Sequence, residues 1–308
     1  MVGLEHEALL RELQPSCPAL QEILVAGDEE PGGLAAFSGV LSGSRPDEAG
    51  GDVTNVYYTS GTTGPPKGCM VGHDYWLRFA DLVVGLYGIT AADRMLCCLQ
   101  FFYNDPPWQL LVALQAGTSL VVMRRFSVSR YWRVVREHNV TVLFGIASTA
   151  SLLVKVPVSD HDLDHQVRLA IQVGIPGPLH KDLVTRWGAP WLEAYGLTET
   201  GLIVCMPMES ATEMIGSGSI GRPCPGADVR VVDSGGAEAP DDVIGEIVVR
   251  APGLMRGYLN RRGTRLSWPT TYPTTPTSGN AARSQSGGGA PGRPAHHAVT
   301  SPSVRSSA

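Results

Sequence analysis

"NVYYTSGTTGPPKGCMVGH", residues 55–73, sets a short apolar run against hydroxyls, glycines, prolines and a single lysine. The residues leading into it, "DVTNVYY", read as a strand. The turn that follows, Thr59-Ser60-Gly61-Thr62-Thr63-Gly64, supplies small donors and backbone N–H groups of the kind that wrap phosphate oxygens. Gly61 and Gly64 permit close backbone approach, and Lys67 adds a point charge. A Walker-type loop requires Ser or Thr directly after its lysine. Here Lys67 follows Pro65-Pro66 and precedes Gly68, so that pattern fails. GxGxxG occurs once, as "GSGSIG" (216–221), but Arg222-Pro223 follow it and no helix opens there. A Ser, Thr, Gly and Pro-rich stretch is also what an ordinary surface turn looks like, so its neighbours decide.

From residue 53 to about 200 those neighbours alternate strand with helix. A helical stretch, "DYWLRFADLVVGLYG", is followed by strand "RMLCCLQ", helix "WQLLVALQAG" and strand "TSLVVM". "SVSRYWRVVREHN" opens with serines suited to N-capping and closes on Asn139, which suits a helix end. "VTVLFGI" and "VRLAIQVG" are too continuously apolar for a sheet with one wet face. The expectation is an α/β fold with parallel sheets flanked by helices. After residue 215, "GADVRVVDSGG" and "VIGEIVVRAP" lack intervening helices and read as a small antiparallel β subdomain. From Gly263 onward there is no acidic residue, lysine, isoleucine or phenylalanine. Such a segment cannot offset its ordering entropy by burial and is expected to be disordered. The division expected is residues 1–52 as a residual N-terminal segment, 53–214 as the α/β core, 215–262 as the β subdomain and 263–308 as the tail.

With 308 residues the chain can bury a large core, and 43% apolar with 17% charged residues describes a globular protein. A net charge of −5 gives no support for a nucleic-acid or membrane-surface partner. The six cysteines form no CxxC pair, which argues against a zinc or thioredoxin-type motif. The charged N-terminus is not a secretory signal, and no run approaches the ~20 apolar residues of a membrane span. Cysteines as reduced thiols and a cytoplasmic location are expected.

"YYTSGTTGPPKG" resembles the phosphate-loop signature of the adenylate-forming (AMP-dependent) enzymes: acyl-CoA and aryl-CoA synthetases, luciferases and peptide-synthetase adenylation domains. "YGLTET" (195–200) resembles their adenine and magnesium motif. "VGIPGPL" (173–179) resembles the turn bordering the adenine, with Ile175 where the family more often has a small residue. "GSIGRPCPGADVRVVD" and "GEIVVRAPGLMRGYLN" are similar to the family's β subdomain. The resemblance implies ATP, Mg²⁺ and coenzyme A as ligands and a small carboxylate, in fatty-acid metabolism broadly, as substrate. The acid attacks the α-phosphate to give an acyl-adenylate and pyrophosphate, and a thiol then takes the acyl group.

Carried over by position, Thr59, Ser60, Gly61, Thr62, Thr63, Gly64 and Lys67 would hold the outer phosphates. Gly174, Ile175, Pro176, Tyr195 and Gly196 would border the adenine, Thr198 would meet the α-phosphate, and Glu199 would hold the metal. Lys67, Thr198 and Glu199 are the catalytic candidates. "LQFFYNDPPWQLL" (99–111) stands where the family builds its carboxylate pocket, so Phe102, Tyr103 and Trp108, with Phe101, are either pocket walls or core aromatics. The aromatic-histidine pair common in this part of the family is missing. His161 and His165 in "SDHDLDHQ" suggest a metal site superficially but read better as part of a solvated loop. Nothing after Asn260 corresponds to the family's ribose-binding aspartate, hinge or C-terminal lysine, and little precedes residue 53. The expectation is a fragment, truncated at both ends, with a tail from a shifted reading frame; a non-catalytic nucleotide-binding remnant is the alternative.

Overall fold

The computed structural model describes residues 2–3, 11–12, 15, 25–26, 53–59, 66–233, 235–240 and 243–260. The expected tail and most of residues 1–52 lie outside the described residues. The chain divides into two compact units, Met1–Gly51 and Asp52–Ala308. In the first, β1 (Val2–Gly3) pairs in parallel with β2 (Val25–Ala26).

The second unit opens with β3 (Asn55–Thr59), which pairs antiparallel with β4 (Lys67–Val71). Helix α1 (His73–Tyr87) follows. The sequence reading passes from loop straight to helix here, and the structure corrects it: Lys67 begins a strand. The glycine and prolines before it conceal that strand, since Lys67-Gly68-Cys69-Met70-Val71 shows no clean alternation. The rest of the unit is β5 (Arg94–Cys97), α2 (Asp105–Ala116), β6 (Ser119–Val122), α3 (Val128–Glu137), β7 (Val142–Ile146), α4 (Ala147–Leu153), β8 (Leu169–Val173), α5 (Gly177–Trp187), β9 (Trp191–Leu197), β10 (Gly201–Cys205), β11 (Arg222–Pro223), β12 (Asp228–Val232), β13 (Glu246–Arg250) and β14 (Gly257–Tyr258).

Seven strands form one mixed sheet in the order β11-β10-β9-β8-β7-β5-β6. From β6 to β9 every pairing is parallel; β10 and β11 run antiparallel. The inner parallel strands β5, β7, β8 and β9 are largely buried because helices cover the crossovers, whereas β6, at the sheet edge, is half-buried to exposed. Strand order reverses at β5, with β6 on one side and β7 on the other. In an open α/β sheet the crevice at such a point, beyond the carboxyl ends of the strands, is where ligands bind. A three-stranded sheet, β14-β4-β3, and an antiparallel pair, β12–β13, complete the unit.

The core between α1, α2 and the sheet is aromatic. Trp108 stacks on Phe79 at 4.7 Å and meets Phe144 edge-on at 4.6 Å. Trp132 of α3 stacks on Trp187 of α5, which makes a tilted contact with Trp191 of β9. Ser127 occupies the N-cap of α3 as expected, but its side chain makes no capping hydrogen bond. Asn139 takes a left-handed conformation (φ 50°) just beyond that helix.

At the amino ends of the strands, the buried Asp93 carboxylate accepts from Arg168 Nε at 2.7 Å, Arg168 Nη2 at 2.8 Å, Thr141 Oγ1 at 2.8 Å and the Thr90 backbone N–H at 2.9 Å. Arg168 also donates to the carbonyls of Tyr87 and Gly88, which ties the end of α1 to the sheet. Burial alone would raise the acid, but the Arg168 guanidinium and these donors outweigh it and hold the carboxyl at about 2, below the usual 3.8. A depressed folded value stabilises above the unfolded pKa and is lost as pH falls through the folded one. Asp93→Asn is therefore expected to cost about 2 kcal/mol near neutrality, a figure already reduced for the partial exposure of Arg168. The gap from wild type should close as pH falls from about 4 toward 2, as read by urea denaturation across that range.

Candidate functional site

The β3–β4 hairpin brings Thr59 and Lys67 opposite one another at its turn end, where the connecting segment leaves and returns. Ser60, Gly61, Thr62, Thr63 and Gly64, expected to hold phosphate, lie outside the described residues. What the hairpin establishes is that the segment between them starts and ends at one place, with Lys67 on its rim. The Lys67 ammonium lies 5.4 Å from the ring centroid of Tyr258, in cation–π contact.

Tyr258 reaches this position because β14 adds to β4: Tyr258 pairs with Cys69, and Leu259 N donates to Gly68 O at 2.7 Å. Its hydroxyl donates to Glu199 Oε1 at 2.6 Å. Glu199 itself sits in the turn between β9 and β10. That turn is braced from three sides: Leu197 N donates to Thr200 Oγ1 at 3.0 Å, Met255 N donates to Glu199 O at 2.9 Å, and the Cys69 thiol contacts Thr198 O at 3.5 Å. Lys67, Thr198 and Glu199 are thus gathered at one place, from stretches far apart in the chain. Gly196 permits the tight hairpin, since a Cβ there would stand 2.2 Å from Gly201 O.

Tyr195, half-buried on β9, packs against a small cluster of Ile203, Val204 and Ile220, and burial pushes its phenol up. Beside it, Val173 at the end of β8 pairs with Ala194 of β9. The turn Gly174-Ile175-Pro176 therefore leaves the sheet next to Tyr195, with Gly174 at φ 81°. Both of its first two backbone N–H groups donate to Glu193, at 2.7 and 2.5 Å.

The aromatic segment after β5 divides. Phe102 and Tyr103 are 70% and 49% exposed, with ring centroids 4.5 Å apart. Trp108 does not join them: it is 1% exposed, inside the core described above. The physical reason is helical placement, since Trp108 lies in the first turn of α2 on the face turned to Phe79 and Phe144. His161 is exposed and stands 3.8 Å from Asp164, while the His165 ring stacks on Trp132 at 5.0 Å. Among the described residues no group of three His, Cys, Asp or Glu side chains could hold a metal. A single carboxylate such as Glu199 nevertheless fits Mg²⁺, which keeps several waters and takes phosphate oxygens as its other ligands.

Two residues of this site escape the sequence reading. Tyr258 falls in the "GYLN" stretch, matched only as part of the β subdomain, and its role depends on a contact 59 residues away. Glu193 is visible in principle as a lone acid within the apolar run "PWLEAYG".

An AMP-binding enzyme family model matches residues 4–259. The 2-succinylbenzoate–CoA ligase of Enterococcus faecalis is 31% identical over 215 residues, which are 68% of this chain and 43% of that one. 4-Coumarate–CoA ligase 5 of Oryza sativa subsp. japonica is 32% identical over 240 residues, 74% of this chain and 44% of that one. Among solved structures, the o-succinylbenzoate coenzyme A synthetase of Bacillus subtilis in complex with AMP is 28% identical with a TM-score of 0.61, covering 69% of this chain and 44% of that one. The same enzyme solved with ATP and magnesium ion matches at 29% identity and a TM-score of 0.59, covering 67% and 42%. The chain spans less than half the length of these relatives.

Proposed function

Because the chain belongs to the AMP-binding enzyme family, we propose that it is acyl-CoA synthetase-like: it activates a carboxylic acid with MgATP and transfers the acyl group to coenzyme A. The observation that carries this reading is the convergence of Lys67, Thr198, Glu199 and Tyr258 beside the turn end of the β3–β4 hairpin. A carboxylate oxygen attacks the α-phosphorus, the α–β anhydride breaks and pyrophosphate leaves. The CoA thiolate then attacks the acyl carbon and AMP departs.

Such a step is mostly positioning and charge stabilisation. Thr59 and Lys67, with Ser60, Gly61, Thr62, Thr63 and Gly64, hold the β- and γ-phosphates. Thr198 meets the α-phosphate. Tyr195, Gly196 and the turn Gly174–Pro176 border the adenine. Glu199, its Oε1 fixed by the Tyr258 hydroxyl, would hold Mg²⁺, which when bound supplies neutralisation of phosphate charge. Phe102 and Tyr103 stand beyond the carboxyl end of β5, at the sheet's switch point, and are the proposed walls for the acid. No described helix is long and apolar enough to cross a membrane, and a cytoplasmic location belongs to the proposal.

The chain spans less than half of each relative's length, and nucleotide binding without turnover is the second reading. Pyrophosphate release by the purified chain, with MgATP and a panel of short, medium-chain fatty, aromatic and betaine-like acids, separates the two. Release that depends on one acid is the expected outcome and names the substrate class. ATP binding without release supports the second reading, and no ATP binding overturns both.

A further inference from the structure

We propose that Glu193 is a positioning residue that sets the backbone of Gly174–Pro176 for the nucleotide, so that affinity for the adenine end follows the ionisation of this one carboxylate. The inference rests on the reading that this turn borders the adenine.

The geometry is a two-point bracket. Glu193 lies on β9 and is 6% exposed. Its Oε1 accepts from Gly174 N at 2.7 Å and its Oε2 from Ile175 N at 2.5 Å. These are the two donors that leave β8 just before α5 begins, and no strand partner remains to take them. Gly174 stands in the left-handed region, so the turn adopts a conformation that the bracket must maintain. The neighbouring strand does not compete for the carboxylate. Gln172, the register partner of Glu193 on β8, is fully buried over Gly145 of β7. Its carboxamide is satisfied there when the nitrogen donates to Ile146 O and the oxygen accepts from Gly145 N.

Both carboxylate oxygens accept, so a proton on either one would face an N–H and release it. Burial pushes Glu193 up to about 7 against the pull of the two backbone donors. The bracket is therefore complete above neutrality and loses one arm as pH falls below it. Other titratable groups surround this region. Tyr87 of α1, whose phenol interacts with the Glu193 charge, is pushed well up by burial. His180 of α5, engaged with Trp191 O and Gly216 N, is pushed down by burial. Cys205 of β10 lies beside Tyr87 and is drawn down by hydrogen bonding with Cys224. Only a change at Glu193 itself separates its contribution from theirs.

The test pairs hydrogen exchange at the Gly174 and Ile175 amides with AMP affinity, both from pH 6 to 8 and with exchange corrected for its intrinsic pH dependence. In wild type, protection and affinity should both rise toward pH 8. Glu193→Gln should exchange roughly tenfold faster at these amides and bind AMP roughly tenfold more weakly, as expected for loss of a charge-assisted hydrogen bond. Both pH profiles should flatten in that variant. Glu193→Asp, which keeps the charge, should restore a pH response. Wild-type protection that does not change with pH, or a pH response retained in Glu193→Gln, overturns the proposal; the wild-type profile decides even if a variant fails to fold. Exchange that behaves as expected in a chain binding no AMP overturns the proposed function and leaves the bracket standing.

Discussion

Glu199→Gln should lower acid-dependent pyrophosphate release by at least about a hundredfold while leaving the chain folded. The turn that carries Glu199 is held by bonds that do not use the Glu199 side chain: Met255 N to Glu199 O, Leu197 N to Thr200 Oγ1 and the Cys69 thiol to Thr198 O. A glutamine retains an oxygen to accept from the Tyr258 hydroxyl, so the hairpin and β14 keep their contact. What it removes is the negative charge that a cation between phosphate oxygens requires. The urea midpoint should therefore move little, and the loss should fall on turnover. An active Glu199→Gln chain would remove this carboxylate from the proposed metal site. Equal loss of activity and of folded protein would make Glu199 a structural residue of the turn.

The largest stability effect is expected at Trp108. Truncation to alanine leaves a cavity between Phe79 and Phe144, and removing a buried aromatic of this size costs about 3–5 kcal/mol. Phe102→Ala, on an exposed ring, should stay within about 0.5 kcal/mol of wild type. The contrast, read by urea denaturation, divides an aromatic segment that the sequence presents as uniform. If Trp108→Ala instead left stability unchanged and altered which acid is used, Trp108 would belong to the acid pocket.

That division shows what was legible in the chain and what was not. "VTVLFGI" and "VRLAIQVG" announce buried parallel strands because continuous apolar character has few other uses, and they become β7 and β8. The segment after β5 is also marked by aromatic content, but content does not say which way a ring points. Trp108 turns inward only because α2 begins at Asp105. Strand β4 escaped notice because its Gly68 and Cys69 interrupt any period-two pattern. Helix α4 follows β7 without an intervening turn residue, so its start carries no punctuation. Within the site, Lys67, Thr198 and Glu199 stood out through local motifs. Tyr258 and Glu193 act through contacts across strands, and no local pattern encodes a contact between residues far apart.

The pairing of β14 with β4 also has a meaning in time. A ribosome makes Lys67 roughly 190 residues before Tyr258, an interval on the order of ten seconds or more at ordinary rates of synthesis. Through that interval β4 lacks its outer neighbour, and the Glu199 carboxylate, once made, still waits for its phenol. The nascent chain thus carries an open strand edge of the kind that invites mispairing. The last residue of the sheet to be translated, Tyr258, is also the one that joins Lys67 to Glu199.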